Sequence, residues 1–250
     1  MKRRNFLLLG AVSFAASAFA STANKANVCD STWYLHPDLV KAPNNIILKV
    51  RDTDSALGRY NDSSCVKDIS MQDVVKLHGH LCDGLVFSFL QITAVLQKLF
   101  PDGVIDRTDL RGACKNSPCM VDALAYLTGA RINFKTLRID PTLRASHIIQ
   151  KISTNETYEV RIMPGLFPEN LKIQEKQIRS KISKKETVTP EEIDRVEKLA
   201  DDFIAMMLHT PLEKLVSLTK LDHYIFEPVS SVDVFGNRGD VVNKHVPKKQ

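Results

Sequence analysis

The chain has 250 residues, of which 44% are hydrophobic, which is enough for one sizeable core, alone or with a small appendage. Its formal net charge is +5, but removing residues 1–20 removes three basic residues and no acid and lowers the charge from +5 to +2. No dense basic stripe is present, so nucleic acid is excluded as the expected partner.

The first twenty residues have the three parts of a signal peptide. A basic head at residues 2–4 precedes an apolar run at residues 6–20, which ends in the cleavage pattern Ala18-Phe19-Ala20. The apolar run is shorter than the roughly 20 residues that a spanning helix needs. We therefore predict cleavage after Ala20 and no membrane span in the mature chain.

The run "RRNFL" at residues 3–7 resembles the twin-arginine export pattern. It lacks the Ser or Thr that precedes this pattern and the Lys that follows it, so the Sec route stays open. Either route predicts a bacterial periplasmic protein.

Five cysteines stand in the mature chain, at positions 29, 65, 82, 114 and 119. The number is odd, and a periplasmic location permits disulfides. Cys29 and Cys65 are candidates for one structural disulfide. Cys114 and Cys119 could form another, or one of them could be a metal ligand.

Three helices are predicted in the middle of the chain. Residues 21–70 are a turn-rich extension with a short strand at 46–50, and "MQDVVKLHG" then predicts a short helix that stops at Gly79. The run "DGLVFSFLQITAVLQKLF" is apolar on almost every face, which predicts a buried helix. In "NSPCMVDALAYLTG", Ser117 suits the N-cap, Pro118 the first turn and Gly129 the C-terminal end.

Three strand-like runs follow, at residues 132–139, 146–152 and 157–163, with a hairpin turn at 154–156. An antiparallel meander packed by helices predicts an α+β fold. Two capping boxes, "TPEE" from Thr189 and "TPLE" from Thr210, predict helices at about 190–209 and 211–220. The predicted organisation is a signal peptide at 1–20, an extension at 21–70, a metal-binding core at 71–165, and a helical appendage with a basic tail at 166–250.

The stretch "KLHGHLCDGL" places His78, His80 and Cys82 at every second position. Such residues share a face only on extended backbone, so they can converge only if the helix unwinds at Gly79. Two imidazoles and a sulfur suit zinc or another transition metal. The alternative is a structural use of these residues, as we expect for His147 and His209.

Cys82 and Cys119 are both predicted at helix starts. The partial positive charge there favours the thiolate form of cysteine. If the two starts meet, the cysteines could share a metal ion or form a redox-active pair.

The two motifs together resemble the FmdE family, named for the E subunit of formylmethanofuran dehydrogenase. Members typically carry HGHxCPG at a helix start, matched here by "HGHLCDG", with Asp83 in place of the Pro. A second motif has Cys and Asp three residues apart before a helix ending in Thr-Gly, matched by Cys119, Asp122, Thr128 and Gly129. The resemblance covers about residues 71–163, with "ARINFKTL" replacing a "GKGNL"-like segment and no C-terminal cysteine cluster.

This resemblance implies an α+β core, commonly dimeric, with a metal ion, expected to be zinc, near the first motif. We expect His78, His80, Cys82 and Cys119 as ligands, with Cys114 in reserve and Asp122 orienting a ligand.

Three functions are consistent with this sequence. The first is a periplasmic metal-binding protein, which could assist an exported redox metalloenzyme through its C-terminal helices. The second is a thiol–disulfide redox protein that uses Cys82 and Cys119. The third is a metal-dependent hydrolase-type enzyme of unknown substrate, with Cys82 and Asp83 as catalytic candidates and Asp83 as the base.

Overall fold

The structure, a computed structural model, describes residues 37–54 and 57–228. All of them belong to a compact unit that spans Tyr34–Gln250. The expected signal peptide, Cys29 and the basic tail at residues 244–250 lie outside the described residues. The domain boundaries proposed from the sequence stay predictions.

Seven helices lie in the described part of the chain. Their bounds are α1 Pro37–Val40, α2 Met71–His78, α3 Asp83–Leu99, α4 Pro118–Thr128, α5 Glu169–Ser183, α6 Pro190–His209 and α7 Leu212–Leu215. Gly79 ends α2 and Gly129 ends α4, both in the left-handed conformation that glycine tolerates best. These helix ends confirm the positions predicted from the capping residues.

Eight strands form two sheets in the same part of the chain. Their bounds are β1 Leu48–Arg51, β2 Lys67–Ile69, β3 Val104–Asp106, β4 Leu110–Cys114, β5 Leu137–Ile139, β6 Ser146–Lys151, β7 Thr157–Ile162 and β8 Val216–Lys220. The first sheet has the order β2-β1-β3, and the second has the order β5-β4-β6-β7-β8. The predicted α+β class is confirmed.

The predicted antiparallel meander is only partly correct. Strands β6 and β7 form the expected antiparallel hairpin, with Asn155 at φ 58° in its turn. The run at residues 132–139 forms a strand only at its end, and β4 lies between it and β6. Because β4 pairs in parallel with β5, the order along the chain is not the order in the sheet.

The predicted helix at 211–220 is wrong. The second capping box starts only the four-residue α7, and the chain then continues as β8, which pairs antiparallel with β7. Pairing with an otherwise open sheet edge satisfies the backbone of this segment, which local capping signals cannot reveal. The first box is correct, since Thr189 caps α6 and Glu192 completes the box.

Helix α3 is the centre of the core. Its side chains are buried along almost its whole length, as the all-round apolar pattern predicts. It contacts α4 and α6 as well as β6 and β7, so both motifs are carried by elements anchored in the core. Across the described ranges, no helix combines the length and apolarity needed to cross a membrane.

Candidate metal centre

The turn between α2 and α3 brings three predicted ligands together. His78 is the last residue of α2, and Gly79 follows at φ 100° with its N–H bonded to the Val75 carbonyl at 2.9 Å. The chain then runs outside helical geometry until Cys82, the extended N-cap of α3. The ligand atoms of His78, His80 and Cys82 all lie within 4.8 Å of one another.

Cys119, the second residue of α4, reaches the same place from elsewhere in the chain. Its Sγ lies 3.5 Å from the Cys82 Sγ and 3.7 Å from the His78 Nε2. The His78 Nε2 and Cys82 Sγ are 3.8 Å apart. His80 is exposed, and its ring centroid lies 4.6 Å from that of His78. We call these four residues the His/Cys cluster; their role as ligands stays a prediction.

The spacing of the His/Cys cluster fits a tetrahedral metal ion. Zinc bonds of about 2.3 Å to sulfur and about 2.0–2.1 Å to nitrogen place two sulfurs about 3.8 Å apart, and a sulfur and a nitrogen about 3.6 Å apart. The observed separations of 3.5 Å between the sulfurs, and of 3.7 and 3.8 Å from sulfur to nitrogen, are close to these values. The exposed His80 ring can complete the set by rotating its side chain.

Asp122 holds the His78 ring in the orientation that a metal ligand needs. The His78 Nδ1–H donates to the Asp122 Oδ2 at 2.8 Å, and only 4% of the His78 side chain is exposed. Because Nδ1 carries the proton, Nε2 presents its lone pair to the two sulfurs. Metal-bound histidines commonly have such a carboxylate partner, which also fixes the tautomer.

The two cysteines of the cluster share one proton. Their mutual hydrogen bond lowers the pKa of Cys119 to about 6 and raises the pKa of Cys82. In the metal-free pair the thiolate therefore belongs to Cys119, and the prediction that Cys82 is the thiolate is corrected. The helix starts alone could not decide this, since both cysteines occupy one.

His80 is suited to the neutral form in which histidine binds metals. Partial burial lowers its pKa, and the neighbouring His78 lowers it further. A metal ion replaces the proton on an imidazole nitrogen, so a lowered pKa reduces the competition from protons.

Gly84 explains how α3 and α4 approach so closely. A Cβ atom at this position would lie 3.0 Å from the Cys119 Sγ and 3.3 Å from its Cβ. The glycine of "HGHLCDG" therefore provides the space that Cys119 occupies, a function that the sequence did not show.

Asp83 opens α3, where an acidic side chain complements the helix dipole as well as a Pro suits the first turn. It is not part of the His/Cys cluster. Instead it lines a cleft of about 450 Å³, and Cys119 lines the same cleft.

The other cysteines and histidines of the described chain lie outside the cluster. Cys114, the reserve ligand, is buried at the end of β4, and burial raises the pKa of its thiol to about 12. Cys65 has a free thiol. His147 is buried against Gln91, and the His209 Nδ1–H donates to the Ala205 carbonyl, so both make the structural contacts expected of them.

Sequence reasoning missed the residues that form the rest of the cleft. Lys115, Phe167, Arg179 and Phe203 line it together with Cys119. They come from the β4–α4 connection, the segment before α5, α5 and α6. No motif marks them, because residues so far apart in sequence meet only when the C-terminal helices pack onto the core.

Comparison with known proteins gives a family match over both motifs. The family model described as "FmdE, Molybdenum formylmethanofuran dehydrogenase operon" matches residues 77–217. Among solved structures, the chain is similar to an FmdE-like protein of tungsten formylmethanofuran dehydrogenase type from Syntrophus aciditrophicus. That similarity has 16% sequence identity and a TM-score of 0.37, and covers 65% of this chain and 79% of that one. No curated protein matches the chain.

Proposed function

This chain belongs to the FmdE family, whose model matches more than half of its residues, and we propose that it binds one zinc ion. The proposed ligands are His78, His80, Cys82 and Cys119. The observation that carries this proposal is the set of mutual distances among His78 Nε2 and the two sulfurs, which suits a tetrahedral ion.

The protonation pattern also supports a metal ion. Cys119 already favours the thiolate, and a metal ion would release the single proton that the two sulfurs share. Zinc is the preferred ion because two imidazoles and two thiolates form a donor set common in tetrahedral zinc sites. When bound, zinc would supply a fixed positive charge and, if one coordination position opens toward the cleft, a Lewis acid.

The test is metal analysis of protein purified without an affinity tag and under reducing conditions. We expect about one zinc ion per chain in the wild type, since four ligands at this spacing form a complete tetrahedral site. His78→Ala and Cys82→Ser should lose most of it, because each removes a ligand.

Two matched variants control for the general effect of losing a histidine or a cysteine. His209→Ala and Cys65→Ser change residues outside the cluster and should keep the wild-type metal content. A wild type without stoichiometric metal, and indistinguishable from His78→Ala and Cys82→Ser, contradicts the proposed site.

A second candidate function is thiol–disulfide exchange, favoured by the 3.5 Å separation of the Cys82 and Cys119 sulfurs. A disulfide needs about 2.05 Å, so only a small movement would close it. Closure would transfer two electrons and two protons to a partner's disulfide, which would be reduced to two thiols.

Thiol titration separates the two candidates. In a redox protein, treatment with oxidised glutathione removes two reactive thiols and reductant restores them. In a zinc protein, the same two thiols become reactive only after a chelator removes the metal. A Cys119→Ser variant identifies the thiols involved, and Cys65→Ser serves as its control.

We also propose that the protein is exported to the periplasm, acts as a homodimer and assists an exported redox enzyme. Support for export comes from the signal-like pattern of residues 1–20, and support for the dimer comes from the family resemblance. Mass spectrometry of the periplasmic fraction should show a chain that begins at Ser21, and sedimentation should show twice the chain mass. Intact residues 1–20 on a cytoplasmic monomer would contradict both.

A further inference from the structure

The cleft beside the His/Cys cluster has the size of a small-molecule site. Its volume is about 450 Å³, within the range of about 300–1,000 Å³ that is usual for such sites. Cys119 lines the cleft and also belongs to the cluster. A molecule in the cleft would therefore lie next to the proposed zinc ion.

Aromatic side chains form much of the cleft wall. Phe87 comes from α3, Phe203 from α6, and Phe167 from the segment before α5. The rings of Phe167 and Phe203 pack edge to face, with centroids 5.2 Å apart and planes at 68°. Phe203 is buried, but 36% of Phe167 is exposed. An apolar body in the cleft would cover this exposed ring, which favours binding.

Lys115 supplies the cleft with an uncompensated positive charge. It is half-buried and makes no hydrogen bond or ion pair with any residue in the described ranges. Arg179, the other cation of the cleft, is already paired with Glu175 at 2.8 Å. A partly desolvated ammonium group without a partner is unfavourable, so an anion beside Lys115 would be stabilised.

The start of α4 adds to this positive field. The Ser117 side chain makes no capping hydrogen bond, so it does not satisfy the first amides of the helix. The unsatisfied amides of a helix start attract anions. Asp83 carries the one cleft carboxylate outside the Glu175 pair, and it lies in the first turn of α3, whose own dipole it complements.

From these contacts we propose that the cleft binds a small organic monocarboxylate with an aromatic or branched aliphatic body. Its carboxylate lies between Lys115 and the start of α4, and its apolar body packs against Phe87, Phe167 and Phe203. The inference rests on the proposed zinc function only in placing the carboxylate next to a metal ion at Cys119.

The test is a fluorescence and calorimetric titration of the full chain with naphthylacetate, an aromatic monocarboxylate, and with its neutral amide, naphthylacetamide. We expect saturable 1:1 binding of the acid, and binding of the amide weaker by about tenfold, because the amide cannot form a charge-assisted hydrogen bond with Lys115. This comparison of two ligands needs no protein variant, so it does not depend on a variant folding correctly.

Variants then assign the binding to the cleft. Lys115→Met should weaken naphthylacetate binding by about tenfold, and Phe167→Ala should weaken binding of acid and amide alike. Lys184→Met is the matched control, since Lys184 is an exposed lysine beyond the end of α5 and should leave binding unchanged.

Absence of saturable naphthylacetate binding, equal affinity for acid and amide, or equal affinity of wild type and Lys115→Met would each overturn the proposal. The titrations are run on zinc-loaded and on chelator-treated protein, with the metal content measured in each sample. Binding that depends on Lys115 in a chain that never holds metal would support the cleft and overturn the zinc site. A zinc-loaded chain that binds no naphthylacetate would overturn the cleft alone.

Discussion

Single residues determine whether the four proposed ligands can meet. Gly84 leaves the space next to Cys119, and Asp122 turns the His78 ring so that Nε2 points to the sulfurs. Neither residue is itself a proposed ligand. Both act by positions of a few tenths of an ångström, which is the accuracy that a metal site requires.

At this scale we predict that Gly84→Ala weakens zinc binding by about tenfold, the lower end of the effect of changing a residue that supports a ligand. The added Cβ would stand 3.0 Å from the Cys119 Sγ and displace it. A competition titration with a chromogenic chelator measures the affinity.

Stability of the metal-free variant is the control for Gly84→Ala. Alanine is favoured over glycine within helices by about 1 kcal/mol, so the unfolding free energy without metal should not fall in step with the affinity. Unchanged zinc affinity would mean that the position of Cys119 does not matter for the metal.

At the scale of elements, a polar contact inside the core joins α3 to β6. His147 on β6 is completely buried, and its Nδ1–H donates to the Gln91 Oε1 on α3 at 2.6 Å. The Gln91 amide in turn donates to the Ala145 carbonyl at 2.9 Å. Burial lowers the pKa of His147 from 6.5 to about 4, so the ring is neutral in the folded protein at neutral pH.

This contact predicts a loss of stability in mild acid. Between pH 6.5 and about 4 the unfolded chain binds a proton at His147 that the folded chain does not, so the unfolding free energy decreases as the pH falls. The full loss is about 3 kcal/mol, and above pH 6.5 the contribution is constant.

Urea unfolding of chelator-treated protein at several pH values measures this dependence. A His147→Gln variant keeps a polar side chain but cannot titrate, so its stability should depend less on pH over the same window. Identical pH profiles for the wild type and the variant would contradict the assignment to His147.

At the scale of the whole molecule, the proposed zinc ion would join separate parts of the chain. Its ligands come from the end of α2, the turn that follows, and the starts of α3 and α4, and α3 and α4 both pack in the core. An ion that binds only the folded chain stabilises it by mass action.

We therefore predict that a chelator lowers the thermal unfolding midpoint by about 10 °C, the effect of losing a ligand present at about 1,000 times its dissociation constant. Differential scanning calorimetry measures the shift. Cys82→Ser, which lacks a ligand, should begin with the lower midpoint and show no response to the chelator. A wild type that responds no more than this variant would argue against a metal that stabilises the fold.

Local signals in the sequence were enough to predict the helices that carry the cluster. Ser117, Pro118 and Gly129 mark the ends of α4, and Gly79 marks the end of α2, because capping depends on residues within one turn. The same local signals placed Cys82 and Cys119 at helix starts. The two family motifs then indicated the ligand set.

How these parts combine became visible only in the folded chain. The insertion of β4 between β5 and β6, the change of residues 216–220 from helix to strand, and the meeting of Lys115 with Phe167 and Phe203 all depend on contacts between distant segments. The thiolate at Cys119 and the function of Gly84 follow from the approach of α3 to α4. Local sequence patterns contain no information on such distances, because sheet pairing and packing are selected by the free energy of the whole fold.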